Sequence, residues 1–134
     1  MELQAEYRGK VFRVVHCKNA LDTYEALRTQ IPKSKYKSLT TQMILQIQRL
    51  ADGGRMSGEN FVKEGKLPSQ NGKSKHFYAL KRIPIRGYCW LSEKHPNTYF
   101  ISHYMFKKAQ KLKERDITIV SGNWRRIEEN GYEN

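Results

Sequence analysis

Four lysines follow an aromatic run that carries a histidine in the stretch Thr98 to Lys113, TYFISHYMFKKAQKLK. Lys107, Lys108, Lys111 and Lys113 are cations suited to a polyanion, and His103 lies four residues before the first of them. An imidazole titrates near neutral pH, so this spacing can bring a proton carrier close to bound phosphate. A nuclease would use that pairing. The bland reading of His103 stands beside it, because strict alternation along a strand puts it on the face of Tyr99, Ile101 and Met105 as an ordinary sheet histidine.

These residues need a frame. Thr, Tyr, Phe and Ile in the first half of the stretch favour a pleated, partly buried strand over Thr98 to Phe106. Two further strands are predicted before it, His76 to Ile83 and Arg86 to Ser92, with turns marked by Pro84 and by residues 93–97, EKHPN, so that the three pair as an antiparallel meander. Upstream, Tyr7 to His16 reads as one strand with a turn or bulge at Gly9. Leu21, Tyr24 and Leu27 recur by three in a short helix from Ala20 to Gln30, closed by Pro32. Beyond a basic turn, PKSKYK, the segment Ser38 to Ala51 puts Leu39, Met43, Ile47 and Leu50 on one stripe and stops at Gly53 and Gly54. These two segments form a helical hairpin that must cover strands.

Residues 55–75 have only Phe61 and Val62 as an apolar pair, and read mostly as loop. Within it GKLPSQNGKSK, with Lys73 and Lys75, is either a basic loop that reaches for a phosphate backbone or a solvated connection. The last segment, with Asp116 as a good N-cap and Ile117, Val120, Trp124 and Ile127 at helical spacing, is a terminal amphipathic helix. Gly122 inside it costs about 1 kcal/mol against Ala and marks a place for a kink. Trp124 falls on the apolar stripe and reads as a core anchor more readily than as a platform for a base. The expected architecture is α+β: an N-terminal strand and helical hairpin packed on a small, mainly antiparallel four-stranded sheet, with a C-terminal helix.

With 134 residues the chain reads as a single domain, 1–134, large enough to bury a core without disulfide or metal. Cys17 and Cys89 lack CxxC spacing or a paired-histidine pattern and read as reduced thiols. There is no membrane-spanning run, and MELQAEYRGK lacks the apolar segment of a signal peptide, so the expected location is the cytoplasm. The net charge of +12 is uneven, with +4 over residues 1–62, +10 over 63–113 and −2 over 114–134. A middle block of that sign attracts nucleic acid or an acidic protein.

The segments HFYALKRIPIRGYCWL (76–91) and ISHYMFKKAQKLKERDI (101–117) give the chain a likeness to a family. It resembles the RelE/ParE superfamily of toxins, most closely the HigB-like, phage-derived host-killing branch, in which a last strand leads into Phe-Lys-Lys, then Gln-Lys, then a helix. Here those positions are Phe106, Lys107, Lys108, Gln110 and Lys111. The likeness covers residues 61–127 well, and the N-terminal part only by the order of its elements. A RelE-like fold is what it implies, with the activity of a type II toxin: a ribosome-dependent endoribonuclease that cleaves mRNA and is held inactive by a cognate antitoxin protein.

Such a cut needs no metal or other cofactor if a base removes the 2′-hydroxyl proton, a donor protonates the 5′-oxygen and cations stabilise the phosphorane. Glu64 and Glu93, the acids of the middle block, stand far apart in sequence, which argues against a metal site. The resemblance implies a phosphate-binding role for Arg86, which suits the transition state because its planar fork holds two oxygens. Arg82 joins it in the hairpin. Lys107, Lys108 and Lys111 match the basic segment, and a crowd of cations can lower the pKa of one of them enough to make it a proton carrier. His103 is the candidate base or acid, and Tyr88 either stacks on a base or merely packs. Lys73, Lys75, Lys111 and Lys113 complete the RNA-binding set. Where several superfamily members have arginine after the tyrosine of this strand, the chain has Cys89 and Trp90. Two other readings stay open: a ParE-like gyrase inhibitor, and a non-enzymatic nucleic-acid-binding module for which charge alone suffices.

Overall fold

A computed structural model describes residues 2–68, 72–107 and 112–134. The strands are β1 (Glu6–Arg8), β2 (Arg13–His16), β3 (Phe61–Lys66), β4 (His76–Arg82), β5 (Ile85–Leu91) and β6 (Thr98–Phe106). They form one mixed sheet in the order β1-β2-β6-β5-β4-β3. The expected meander is present as antiparallel β4, β5 and β6. β2 runs parallel to β6, which leaves β5 and β6 in the middle of the sheet.

The sheet has six strands where four were expected. Tyr7 to His16 is not one interrupted strand but a hairpin, β1 and β2, that reverses at Gly9, whose amide donates to the Phe12 carbonyl. A Cβ at Gly9 would lie 2.3 Å from the backbone carbon of Ala51, so glycine is required there by close approach. Phe61–Lys66, read as loop, is the edge strand β3 paired with β4. An edge strand carrying Lys63, Glu64 and Lys66 shows little of the apolar signature of a central one.

Helices cover both faces. On one lie α1 (Ala20–Glu25), prolonged by a 3-10 turn over Ala26–Thr29, and α2 (Lys33–Ala51). The supposed basic turn is the first turn of α2, which starts directly after Pro32. Between these helices and the sheet sit Val14, Met43, Ile47, Leu80, Ile85 and Ile101. Full burial of each such side chain contributes about 2 kcal/mol. His16 is drawn into this layer with 4 % exposure and is bonded through Nε2 to the Tyr104 hydroxyl at 2.6 Å. Burial pushes its pKa down to about 4.

The opposite face carries α3 (Glu114–Trp124), which continues into a π-helical turn over Arg125–Glu129. Phe77, Trp90, Phe100, Val120, Trp124 and Ile127 pack there. The irregularity falls at Arg125, not at Gly122, which has open space around its Cα. Asp116 does not cap α3. The helix begins two residues earlier, at Glu114, and the Asp116 side chain turns inward with no exposed surface. Among the described residues no helix is long and apolar enough to cross a membrane.

Candidate active site

β5 is buried on both faces, so its alternation sorts residues between two interiors. Ile85 and Cys89 face the helical pair, whereas Tyr88 and Trp90 face α3. Arg86, in phase with Tyr88, stands on the α3 side and is fully buried opposite Lys81 of β4. The Arg86 guanidinium approaches Glu64 of β3 at 3.9 Å, and the Lys81 ammonium approaches the same carboxylate at 3.8 Å.

His103 reaches this face through a defect in β6. Tyr88 pairs with His103 but the next residue, Cys89, pairs with Ile101, so Ser102 is an extra residue in the strand. A bulge resets the alternation. Tyr99 and Ile101 remain with the helical pair, but His103 and Met105 turn to α3, so the alternation expected for His103 does not hold. Its ring stacks obliquely 5.2 Å from that of Tyr88.

Asp116 is the hub of what forms there. Its Oδ1 lies 3.2 Å from His103 Nε2, and its Oδ2 accepts from Lys107 Nζ. Burial alone would raise the Asp116 pKa and lower that of Lys107. The contacts reverse both: Lys107 and His103 hold Asp116 below the ordinary carboxylate range, while Asp116 and the adjacent Tyr88 hydroxyl keep Lys107 above the ordinary ammonium value. Lys107 is thus a permanent cation with an acid as its close neighbour, and Lys108 and Lys111, the other candidates for a depressed pKa, lie outside the described residues. His103 is shifted the other way; burial lowers its pKa, Asp116 offsets this only in part, and the ring is neutral at pH 7.

Since a carboxylate cannot donate, Nε2 of His103 carries the proton and Nδ1 accepts. Ser102 Oγ, 2.9 Å from Nδ1, is the donor. Asn123 Nδ2 donates to Ser102 Oγ at 2.8 Å, and Arg126 donates to Asn123 Oδ1 at 2.7 Å. Tyr88 is buried with its hydroxyl lacking a partner of full hydrogen-bond geometry among the described residues; burial raises its pKa and the Lys107 ammonium, 5.5 Å from the ring centre, works against that.

One side of the cluster is open. A groove of about 350 Å³ between the end of the first helical segment and the start of α3 is lined by Leu27, Gln30, Phe106, Lys107, Lys113 and Arg115. Its charged residues, among those described, are all cations. Among the described residues Lys107 alone belongs both to this groove and to the buried cluster.

Arg86, Tyr88, His103 and Lys107 are therefore brought together, but Arg86, Tyr88 and His103 are at most 2 % exposed and do not themselves reach the groove. Arg82 lies out of phase with Lys81 and points to the helical pair's side of the sheet, away from Arg86. Lys75 is held by Glu93 at 2.8 Å, and Lys73 lines a recess with it at the far end of β4 and β5. Neither shares the groove. Lys113 does, exposed at its rim. Lys108 and Lys111 lie outside the described residues.

Asp116, Glu64, Lys81, Ser102 and Asn123 are site residues that sequence reasoning missed. Asp116 had a signal: it falls four residues before Val120 on the stripe that continues to Trp124 and Ile127, and an acid on an apolar stripe needs a buried partner. Glu64 meets Lys81 and Arg86 because β3 pairs with β4, and Asp116 meets His103 and Lys107 because α3 lies on the sheet. Among the described residues, no three His, Cys, Asp or Glu side chains are grouped as metal ligands. No family model matches this chain, and neither a curated protein nor a solved structure does.

Proposed function

We propose that this protein is a metal-independent endoribonuclease of the RelE/ParE toxin type, acting on mRNA in the ribosome and controlled by an acidic antitoxin. The observation that carries this reading is the place of Lys107, a residue that lines the cationic groove and whose ammonium closes the buried cluster. A strand laid along Lys113 and Arg115 would bring a phosphate to Lys107. Attack of a 2′-hydroxyl on that phosphate, with its proton passing to water, forms the 2′,3′-cyclic ester and breaks the bond to the 5′-oxygen, which takes a proton from water, while a fixed cation stabilises the charge that develops in between. Arg86 stands behind and adds to the positive potential; both it and Lys107 act on Tyr88.

His103 is not the base in this arrangement, because both its nitrogens are engaged and its ring is buried. It serves the site by holding Asp116. That same burial favours a second reading, a nucleic-acid-binding module without a chemical step. Controlled expression of wild type and Lys107→Ala, with growth followed and mRNA 5′ ends mapped, separates the two. Arrest with new ends inside reading frames, lost in the variant, supports the nuclease. Arrest with intact messages points to a protein target such as gyrase, and no arrest leaves the binding module.

A further inference from the structure

The hydrogen bonds around Asp116 have one direction. Arg126 donates to Asn123, Asn123 to Ser102, Ser102 to Nδ1 of His103, and Nε2 of His103 to Asp116, which also accepts from Lys107. Each donor is fixed by the next, and the chain ends at the one carboxylate. Reversal at any link would set two donors or two acceptors against each other.

We infer that Asp116 is the positioning residue of the site, locking His103 in its Nε2–H tautomer and anchoring the ammonium of Lys107, a residue that lines the groove. Three features support it. Asp116 has no exposed surface, so its charge is kept only for what it holds. The bulge at Ser102 puts two consecutive polar side chains on the α3 side, where a regular strand would put one. Asn123 also donates to the Ser102 carbonyl at 3.3 Å, which fastens the bulge to α3. The inference rests on the nuclease reading for its effect on rate, but not for the tautomer.

The tautomer of His103 is read directly by long-range proton–nitrogen NMR on the full chain. The wild type is expected to show a neutral ring protonated at Nε2; protonation at Nδ1, or a charged ring at neutral pH, overturns the inference. In Asp116→Asn the amide can donate to Nε2, so the proton is expected to move to Nδ1. RNA cleavage is expected to fall about 100-fold in kcat with KM within about twofold, since a neutral amide no longer holds the Lys107 ammonium where charge develops in the transition state. An unchanged tautomer, or a loss confined to KM, overturns it. Should Asp116→Asn not fold, Ser102→Ala carries the test: the Nε2–H tautomer is expected to persist, and kcat to fall about 2- to 10-fold, the value of one hydrogen bond. A switch to Nδ1–H in that variant overturns the role of Asp116. If the wild type cuts no RNA, the NMR outcomes still decide the tautomer while the nuclease reading fails alone.

Discussion

Lys107→Met removes the ammonium from the buried pair and keeps most of the side-chain volume. Among the described residues Asp116 then keeps only His103 Nε2, at 3.2 Å, and has no access to water through its own surface. Breaking a buried ion pair from one side costs about 3–5 kcal/mol, because the remaining charge stays desolvated. Two features hold the expected loss near the lower bound, about 3 kcal/mol at neutral pH. Lys107 borders an open groove that lets water approach, and His103 can take up a proton and replace the missing charge. The second feature gives the prediction a sign. In the wild type His103 is neutral with a lowered pKa; in the variant, freed from the competing ammonium and next to an uncompensated carboxylate, its pKa should rise above the unfolded value. A raised histidine pKa adds stability that is present below about 6.5 and lost as pH rises through the folded value. The gap between variant and wild type should therefore narrow by about 1 kcal/mol between pH 7 and about pH 5.5. Urea unfolding followed by tryptophan fluorescence measures both values, since Trp90 and Trp124 are buried. A loss below about 1 kcal/mol at neutral pH, or a gap that widens on acidification, would refute the reasoning.

Burial holds the His16 pKa at about 4. The folded chain thus binds fewer protons there than the unfolded one, whose histidines titrate near 6.5; stability present above 6.5 is lost as pH falls, by about 3 kcal/mol at pH 4, and His16→Gln should remove that part of the slope in acid titrations of unfolding. Gly9→Ala forces a Cβ to 2.3 Å from the Ala51 backbone and is expected to cost at least about 2 kcal/mol in the same assay, whereas Gly58→Ala, with nothing within 4 Å, should stay within about 0.5 kcal/mol. For single-stranded RNA, Lys113→Ala and Arg115→Ala should each flatten the plot of log affinity against log salt by about 0.7, while Arg82→Ala, on the other face, leaves it unchanged; equal slopes in all three would put the strand elsewhere.

The helices and the meander were legible because their patterns are local: Met43, Ile47 and Leu50 recur at helical spacing, and Pro84 and residues 93–97 separate three apolar runs. β3 was hidden because an edge strand needs only one covered face and carries charges. The bulge was hidden for a different reason, since nothing in ISHYMF marks Ser102 as the extra residue; the pairing with β5 does. That single insertion turns His103 from the helical pair to α3. That the strands bearing Arg86, Tyr88 and His103 lie side by side could be anticipated, whereas their convergence on one face depends on the bulge and could not. Their burial could not, because it depends on α3 lying across the sheet, and the cap-like position of Asp116 concealed the acid that closes the cluster.

The central claim is that Lys107, at the junction of cluster and groove, serves cleavage of RNA. The direct measurement incubates the purified protein with ribosomes carrying a defined end-labelled mRNA and determines the chemistry of any new ends. The account predicts fragments ending in a 2′,3′-cyclic phosphate, formed by the wild type and by Arg82→Ala and absent with Lys107→Ala. Intact mRNA under conditions in which the wild type binds it, or equal cutting by Lys107→Ala, would contradict the account.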